Sequence, residues 1–129
     1  MKLLLDTQAW LWMQASPEKL SPEALDLVGD SRHELFLSAV SSWEISIKYA
    51  LGKLSLPAKP GELVPSLMAE TAVTSLPILH SHALHVGELP SHHRDPFDRM
   101  LIAQAQVERL PILTADPRFS AYEVEVLRA

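Results

Sequence analysis

The amino-acid sequence predicts an α/β fold in which helices cover both faces of a central, mainly parallel sheet of about five strands. Short apolar runs alternate along the chain with stretches whose apolar residues recur at helical spacing. Strands that are separated by helices pair in parallel through right-handed crossovers, which places helices on both faces of the sheet. The chain has 129 residues, of which 47% are hydrophobic, so we expect residues 1–129 to form a single domain.

The chain is predicted to begin with a strand and a helix. Lys2–Leu5 is a short apolar run that stops at Asp6, as a buried parallel strand does. The first helix begins at Ser21-Pro22-Glu23, because serine is a favoured N-cap and proline fits the first helical turn. This helix runs towards Gly29.

A second strand and two more helices follow. Residues 35–37 are apolar and are typical of a buried strand. A helix begins at Ser41 or Ser42, and its predicted apolar face comprises Trp43, Ile47, Ala50, Leu51 and Leu54. The next helix begins at Pro60-Gly61 and continues through Leu63, Leu67 and Met68.

The second half of the chain supplies three strands and the most clearly marked helix. Residues 73–79 can form a third strand, and Pro77 within them indicates a sheet edge or a strand end. Asp95-Pro96-Phe97-Asp98 begins a helix that runs to about Arg109. The last two strands are predicted at residues 110–114 and, from an alternating pattern, at residues 123–127.

The charge of the chain argues against nucleic-acid binding by bulk electrostatics. Sixteen acidic residues against eleven basic ones give a net charge of -5. Carboxylates clustered around cations would reverse the local field and weaken this objection. Trp10, Trp12 and Met13 are interpreted as core or subunit-interface residues, because base-stacking side chains usually accompany a basic groove.

Composition also limits the kinds of metal site and the location of the protein. No cysteine is present, so any metal must be held by oxygen or imidazole ligands. No apolar run approaches the roughly 20 residues that span a bilayer, so we expect a cytoplasmic protein without membrane contact.

Four acidic residues follow predicted strands or lie near the starts of helices: Asp6, Glu44, Asp98 and Asp116. Ligands of α/β sheets bind beyond the carboxyl ends of the strands, so these side chains are expected to share one crevice. Hard oxygen ligands from separate segments suit Mg²⁺ or Mn²⁺, which keep several waters for a substrate phosphate. Phosphodiester hydrolysis is the chemistry that such a site favours.

Each carboxylate also has a structural interpretation. Asp95 and Asp116 precede prolines, as helix caps do, and Asp98 occupies the acid position of a capping box. Glu44 can pair with Lys48 one helical turn later on a solvated face. Four coincidences at strand ends and helix starts nevertheless favour one shared site.

The histidines do not form a recognisable zinc motif. His82 and His85 are three residues apart and His92 and His93 are adjacent, but no third ligand follows at a typical spacing. His92 and His93 are therefore interpreted as contacts at the rim of the acidic site.

Four segments resemble PIN-domain ribonucleases of the VapC type, the toxins of type II toxin–antitoxin systems. The segments are Leu4-Leu5-Asp6-Thr7, Ser42-Trp43-Glu44-Ile45, His93-Arg94-Asp95-Pro96-Phe97-Asp98-Arg99 with Leu101-Ile102-Ala103-Gln104-Ala105, and Leu113-Thr114-Ala115-Asp116. The resemblance implies a PIN-like three-layer α/β/α sandwich. It also implies a toxin that cuts cellular RNA, that is silenced by a VapB-like antitoxin, and that forms a homodimer.

The resemblance implies roles for individual residues as well. Asp6, Glu44, Asp98 and Asp116 would hold Mg²⁺ or Mn²⁺, with Asp6 and Asp98 as the central ligands. Asp95 and Thr114 would be accessory residues. Metal-assisted attack of water on a phosphodiester is the implied reaction. Arg94 and Arg99 flank the acids and could bind a substrate phosphate.

Two alternatives remain open. A receiver-like signalling domain also clusters acids around Mg²⁺ at the ends of parallel strands. It would normally present paired acids after its first strand, whereas Asp6 stands alone. The other alternative is a PIN-fold binding module whose site is inactive, and the presence of all four acids argues against it.

Overall fold

A five-stranded parallel sheet runs through the computed structural model, which describes residues 1–129. The strands are β1 (Lys2–Leu5), β2 (Glu34–Ser38), β3 (Thr74–Leu76), β4 (Ile112–Thr114) and β5 (Val126–Arg128). They lie in the order β3-β2-β1-β4-β5, and every neighbouring pair is parallel. The predicted α/β class is thus confirmed. A receiver sheet has β1 between β2 and β3, so its strand order differs from this one.

Six α-helices connect these strands. They are α1 (Thr7–Ala15), α2 (Pro22–Gly29), α3 (Ala39–Ala50), α4 (Pro60–Glu70), α5 (His80–Val86) and α6 (Pro96–Glu108). Short 3₁₀ turns occupy Pro17–Lys19 and Pro117–Ala121. None of the six helices combines the length and the apolar character that crossing a membrane requires.

The core consists of two apolar layers, one on each face of the sheet. In β1, the side chains of Leu3 and Leu5 belong to one layer, and that of Leu4 belongs to the other. The first layer includes Trp10 of α1, and the second includes Leu101 of α6. This arrangement is the three-layer sandwich that the sequence predicts.

Helix α3 begins earlier than predicted and buries a different face. It begins at Ala39, because the Ser38 hydroxyl accepts a hydrogen bond from the Val40 amide at 3.0 Å. Its buried residues are Val40, Ser41, Glu44 and Ile45, and the predicted apolar face is wrong: Trp43 is 55% exposed and Leu51 is 63% exposed. The helix lies over the carboxyl end of the sheet, so part of its inner face is polar.

The edges of the sheet also differ from the prediction in detail. Strand β3 ends before Pro77 and lies at one edge, as the position of that proline indicates. Strand β5 covers Val126–Arg128 rather than residues 123–127, because its register is set by parallel pairing with β4. The alternating residues 123–125 precede the strand, and the Glu125 carbonyl accepts a hydrogen bond from the Ile112 amide at 2.9 Å.

Candidate metal centre

The four predicted acids converge in one cavity at the carboxyl end of the sheet. The strand order reverses between β1 and β4, and such a switch point is where open α/β sheets bind ligands. The cavity there has a volume of about 490 Å³. Its charged lining residues are Asp6, Glu44, Asp95, Asp98 and Asp116 together with Lys48, Lys53 and Arg118.

Asp6 is held rigidly at the end of β1. Its residue surface is only 6% exposed, and one carboxylate oxygen accepts the Gln8 amide at 2.6 Å, which caps α1. The other oxygen accepts the buried hydroxyl of Thr114. Burial raises the pKa of the Asp6 carboxyl, and these hydrogen bonds only partly oppose the shift. Asp6 is therefore both a helix cap and a buried acid of the site.

Glu44 carries a carboxylate oxygen that lacks a partner. Its Oε2 accepts a hydrogen bond from the Lys48 ammonium at 2.5 Å, which raises the pKa of Lys48. Its Oε1 is buried and has no hydrogen-bond partner. The i,i+4 pair anticipated from the sequence exists, but Glu44 is 6% exposed rather than solvated. A buried oxygen without a partner is costly, and a bound cation would satisfy it.

Asp98, which lines the cavity, pairs with a buried histidine. His93 Nε2 lies 2.8 Å from Asp98 Oδ2 and 4.0 Å from Asp116 Oδ2. Ligand atoms of these three residues all lie within 4.8 Å of one another. Burial raises the pKa of Asp98 to about 6, with a further contribution from the charge of Asp95, while the His93 bond opposes the shift. Excess negative charge is therefore concentrated here.

His93 is the principal site residue that sequence reasoning placed wrongly. It is 5% exposed and buried against Asp98 rather than exposed at the rim, whereas His92 is exposed and packs edge-on against Tyr122. The Asp95 amide lies 3.4 Å from His93 Nδ1, which leaves Nε2 to donate to Asp98. In the sequence, His93 lies two residues before Asp95, the N-cap of α6, and this position was the available signal that His93 lies near the acids of the site.

Asp95 and Asp116 act as caps, as their prolines indicated. Asp95 accepts the amides of Phe97 at 2.8 Å and Asp98 at 3.1 Å. Asp116 accepts the Arg118 amide at 2.9 Å and both its oxygens accept the Arg118 guanidinium. That guanidinium holds the pKa of Asp116 below its usual range. Arg118 is thus a cation of the cavity that sequence reasoning missed.

The two arginines that flank the acids in sequence do not line the cavity. Arg94 is exposed, and the Arg99 guanidinium donates to backbone carbonyls, including those of Val86 at 3.0 Å and Pro90 at 2.9 Å. A further bond reaches the carbonyl of His93 at 3.3 Å. Arg99 therefore fixes the segment that carries His93, and its geometry does not support the predicted phosphate contact.

Replacing Arg99 by methionine should destabilise the protein by on the order of 2–3 kcal/mol, because several carbonyls lose a charged donor. Arg94→Met is the matched control and should change stability by less than about 0.5 kcal/mol, since Arg94 is exposed. Urea unfolding of both variants measures the difference. Equal stability of the two variants would show that the Arg99 bonds contribute nothing.

The residues of the cavity fit a hard divalent cation. They offer carboxylate oxygens, which are the ligands that Mg²⁺ and Mn²⁺ prefer. The unpartnered Glu44 Oε1 and the raised pKa values of Asp6 and Asp98 mark negative charge that the chain does not neutralise.

The sequence is similar to a protein family and to a named ribonuclease. Residues 3–125 match the PIN domain family. A 63-residue stretch is 40% identical to Ribonuclease VapC16 of Mycobacterium tuberculosis and covers 49% of this chain and 45% of that protein. The match therefore spans less than half of that relative.

Solved structures show the same fold over the whole chain. DNA-bound VapBC from Salmonella typhimurium is matched with a TM-score of 0.73 and 17% identity, covering 99% of this chain and 98% of that one. DNA-bound VapBC2 from Rickettsia felis gives a TM-score of 0.74 and 12% identity with the same coverage. A match over residues 3–125, together with this fold, establishes that the chain belongs to the PIN domain family.

Proposed function

We propose that the chain is a Mg²⁺- or Mn²⁺-dependent endoribonuclease and the toxin of a VapBC-like toxin–antitoxin pair. The observation that carries this proposal is the convergence of Asp6, Glu44, Asp98 and Asp116 from separate elements in one cavity. The relative named as a ribonuclease and the structural neighbours named VapBC support the same proposal. An inactive binding module would not need to bury several incompletely neutralised carboxylates together.

In the proposed site, the chain contributes carboxylates that are fixed before substrate binds. Asp6, Glu44, Asp98 and Asp116 would hold the metal, with Asp6 and Asp98 central. When bound, the metal would lower the pKa of the attacking water and stabilise charge on the scissile phosphate.

Residues around the acids keep them in place. The Gln8 amide and the Thr114 hydroxyl hold both oxygens of Asp6, and His93 holds one oxygen of Asp98. Lys48 occupies one oxygen of Glu44 and leaves the other free. Fixed ligands of this kind need little reorganisation when substrate arrives. Arg118, at the cavity wall and paired with Asp116, would offer its remaining N–H groups to a substrate phosphate.

The partners proposed with this function are an RNA substrate, a VapB-like antitoxin and a second copy of the chain. The structural neighbours named VapBC are the basis for the antitoxin. Because the proposed substrate is cellular RNA, we place the activity in the cytoplasm.

Purified protein should cleave single-stranded RNA when Mg²⁺ or Mn²⁺ is present, and excess EDTA should stop the reaction. The acids cannot bring a phosphodiester close without a cation, because both are negatively charged. Gel analysis of a labelled oligoribonucleotide, with readdition of metal after EDTA, is the measurement. Cleavage that resists EDTA would contradict the proposed mechanism.

A further inference from the structure

One large aromatic side chain lies open to solvent on α3, the helix that carries Glu44. Trp43 is 55% exposed, and every other tryptophan, tyrosine and phenylalanine of the chain is buried or partly buried. It precedes Glu44 directly on α3. A single exposed apolar residue is ordinary on a protein surface, so the position of Trp43 is what calls for explanation.

The indole of Trp43 packs against a second aromatic ring, on the helix that carries Asp98. Its ring centroid lies 5.1 Å from that of Phe97, with an angle of 81° between the planes. Phe97 directly precedes Asp98 on α6, so the pair joins the two helices that carry Glu44 and Asp98. An edge-to-face contact covers at most one face of either ring, which leaves an indole face free.

Apart from the proposed metal, the cavity offers few free cations for the phosphates of RNA. The lining contains five acids and three cations, and two of the cations, Lys48 and Arg118, are already paired with Glu44 and Asp116. With a net charge of -5, attraction of phosphates to the chain itself supplies little binding. Stacking of bases on an aromatic ring does not depend on net charge.

We propose that the Trp43–Phe97 pair is a base-stacking subsite for a nucleotide next to the scissile phosphate of single-stranded RNA. This inference rests on the proposed ribonuclease function. A free indole face can receive only a base that is not stacked within a duplex, so the subsite selects single-stranded RNA. Trp43 is a positioning residue here, since it would hold substrate without touching the reacting atoms.

Kinetics of Trp43→Ala test the subsite. We expect KM for a short single-stranded RNA to rise about 5- to 100-fold with a smaller change in kcat, given the typical strength of base stacking. Trp43→Phe should recover most of the loss. Leu51→Ala is the matched control, because Leu51 is an equally exposed apolar residue next to the end of α3. Unchanged KM in Trp43→Ala would overturn the proposal.

Substrates that lack one base identify the contact directly. For the unaltered protein, cleavage should weaken when the base is removed at one particular position beside the cleaved bond. With that same substrate, Trp43→Ala should cause no further loss of cleavage. Additive losses would overturn the proposal. So would a Trp43→Ala variant that becomes monomeric by light scattering and regains normal KM at high protein concentration, because Trp43 would then contact a second copy.

Binding separates this inference from the proposed function. Anisotropy of a labelled single-stranded RNA with Asp98→Asn, alone and combined with Trp43→Ala, measures affinity without cleavage. Weaker binding by the double variant than by Asp98→Asn supports the subsite. This conclusion holds even if the unaltered protein cleaves no RNA, because absence of cleavage would refute only the ribonuclease activity. Equal binding by the two variants, or no binding by either, overturns the subsite.

Discussion

Asp98→Asn should reduce metal-dependent RNA cleavage by roughly a hundredfold or more and should abolish any growth arrest caused by expressing the protein. Changing residues that merely support metal ligands typically costs 10- to 100-fold, so losing a proposed central ligand should cost at least as much. Asparagine keeps the shape of the side chain and an oxygen that can accept the His93 bond. The loss would therefore reflect charge rather than folding.

Asp26→Asn provides the matched control for this substitution. Asp26 is exposed on α2, so the variant has the same net charge as Asp98→Asn without a change in the cavity. It should cleave RNA and arrest growth like the unaltered protein. Full activity of purified Asp98→Asn with an unchanged metal requirement would remove Asp98 from the proposed ligand set.

Most elements of the sheet are predictable from the sequence because their signals are local. The apolar run of β1 and the capping sequence that begins α6 each specify an element without reference to the rest of the chain. Helix α1 escapes prediction because it follows β1 with no loop and its residues Thr7–Ala15 show no clear apolar stripe. Helix α5 escapes prediction because it has only seven residues and its N-cap is Leu79, which is not a favoured capping residue.

The acids of the site are predictable for a topological reason. Residues that follow parallel strands must meet at one edge of the sheet, so the sequence alone is enough to place Asp6 and Asp116 together. It is not enough for His93 and Arg118, because their positions depend on the path of a loop and on a side-chain bond. Helical spacing assigns Trp43 to the core, since spacing alone does not reveal that α3 turns a partly polar face inward.

Metal and pH should change the order of stability between the unaltered protein and Asp98→Asn. Burial, and then the neighbouring Asp95, raise the pKa of Asp98 to about 6 from 3.8. The folded state thus holds this proton more tightly than the unfolded state does. Its contribution to stability is fully present below about pH 4, is lost as pH rises towards 6, and stays lost above that.

Without metal at pH 7, Asp98→Asn should therefore be the more stable protein. The rise in the pKa of Asp98 from 3.8 to about 6 corresponds to about 3 kcal/mol, and partial solvent screening reduces this to on the order of 1–2 kcal/mol. The advantage should disappear near pH 4, where Asp98 is protonated. Asp116→Asn is the opposite control: because Arg118 lowers the pKa of Asp116, that variant should gain no stability at pH 7.

Excess Mn²⁺ should reverse the order, because a ligand that binds only the folded state stabilises it. The gain is roughly 2.7 kcal/mol at a hundredfold excess over Kd, and Asp98→Asn should lose most of it. Thermal melts of both proteins in EDTA and in Mn²⁺, at about pH 4 and pH 7, measure all these differences.

If Asp98→Asn melts lower in EDTA at pH 7, the His93–Asp98 contact stabilises the fold more than the buried charge destabilises it. A metal response in that variant as large as in the unaltered protein would mean that the cation is held without Asp98, by the remaining acids of the cavity.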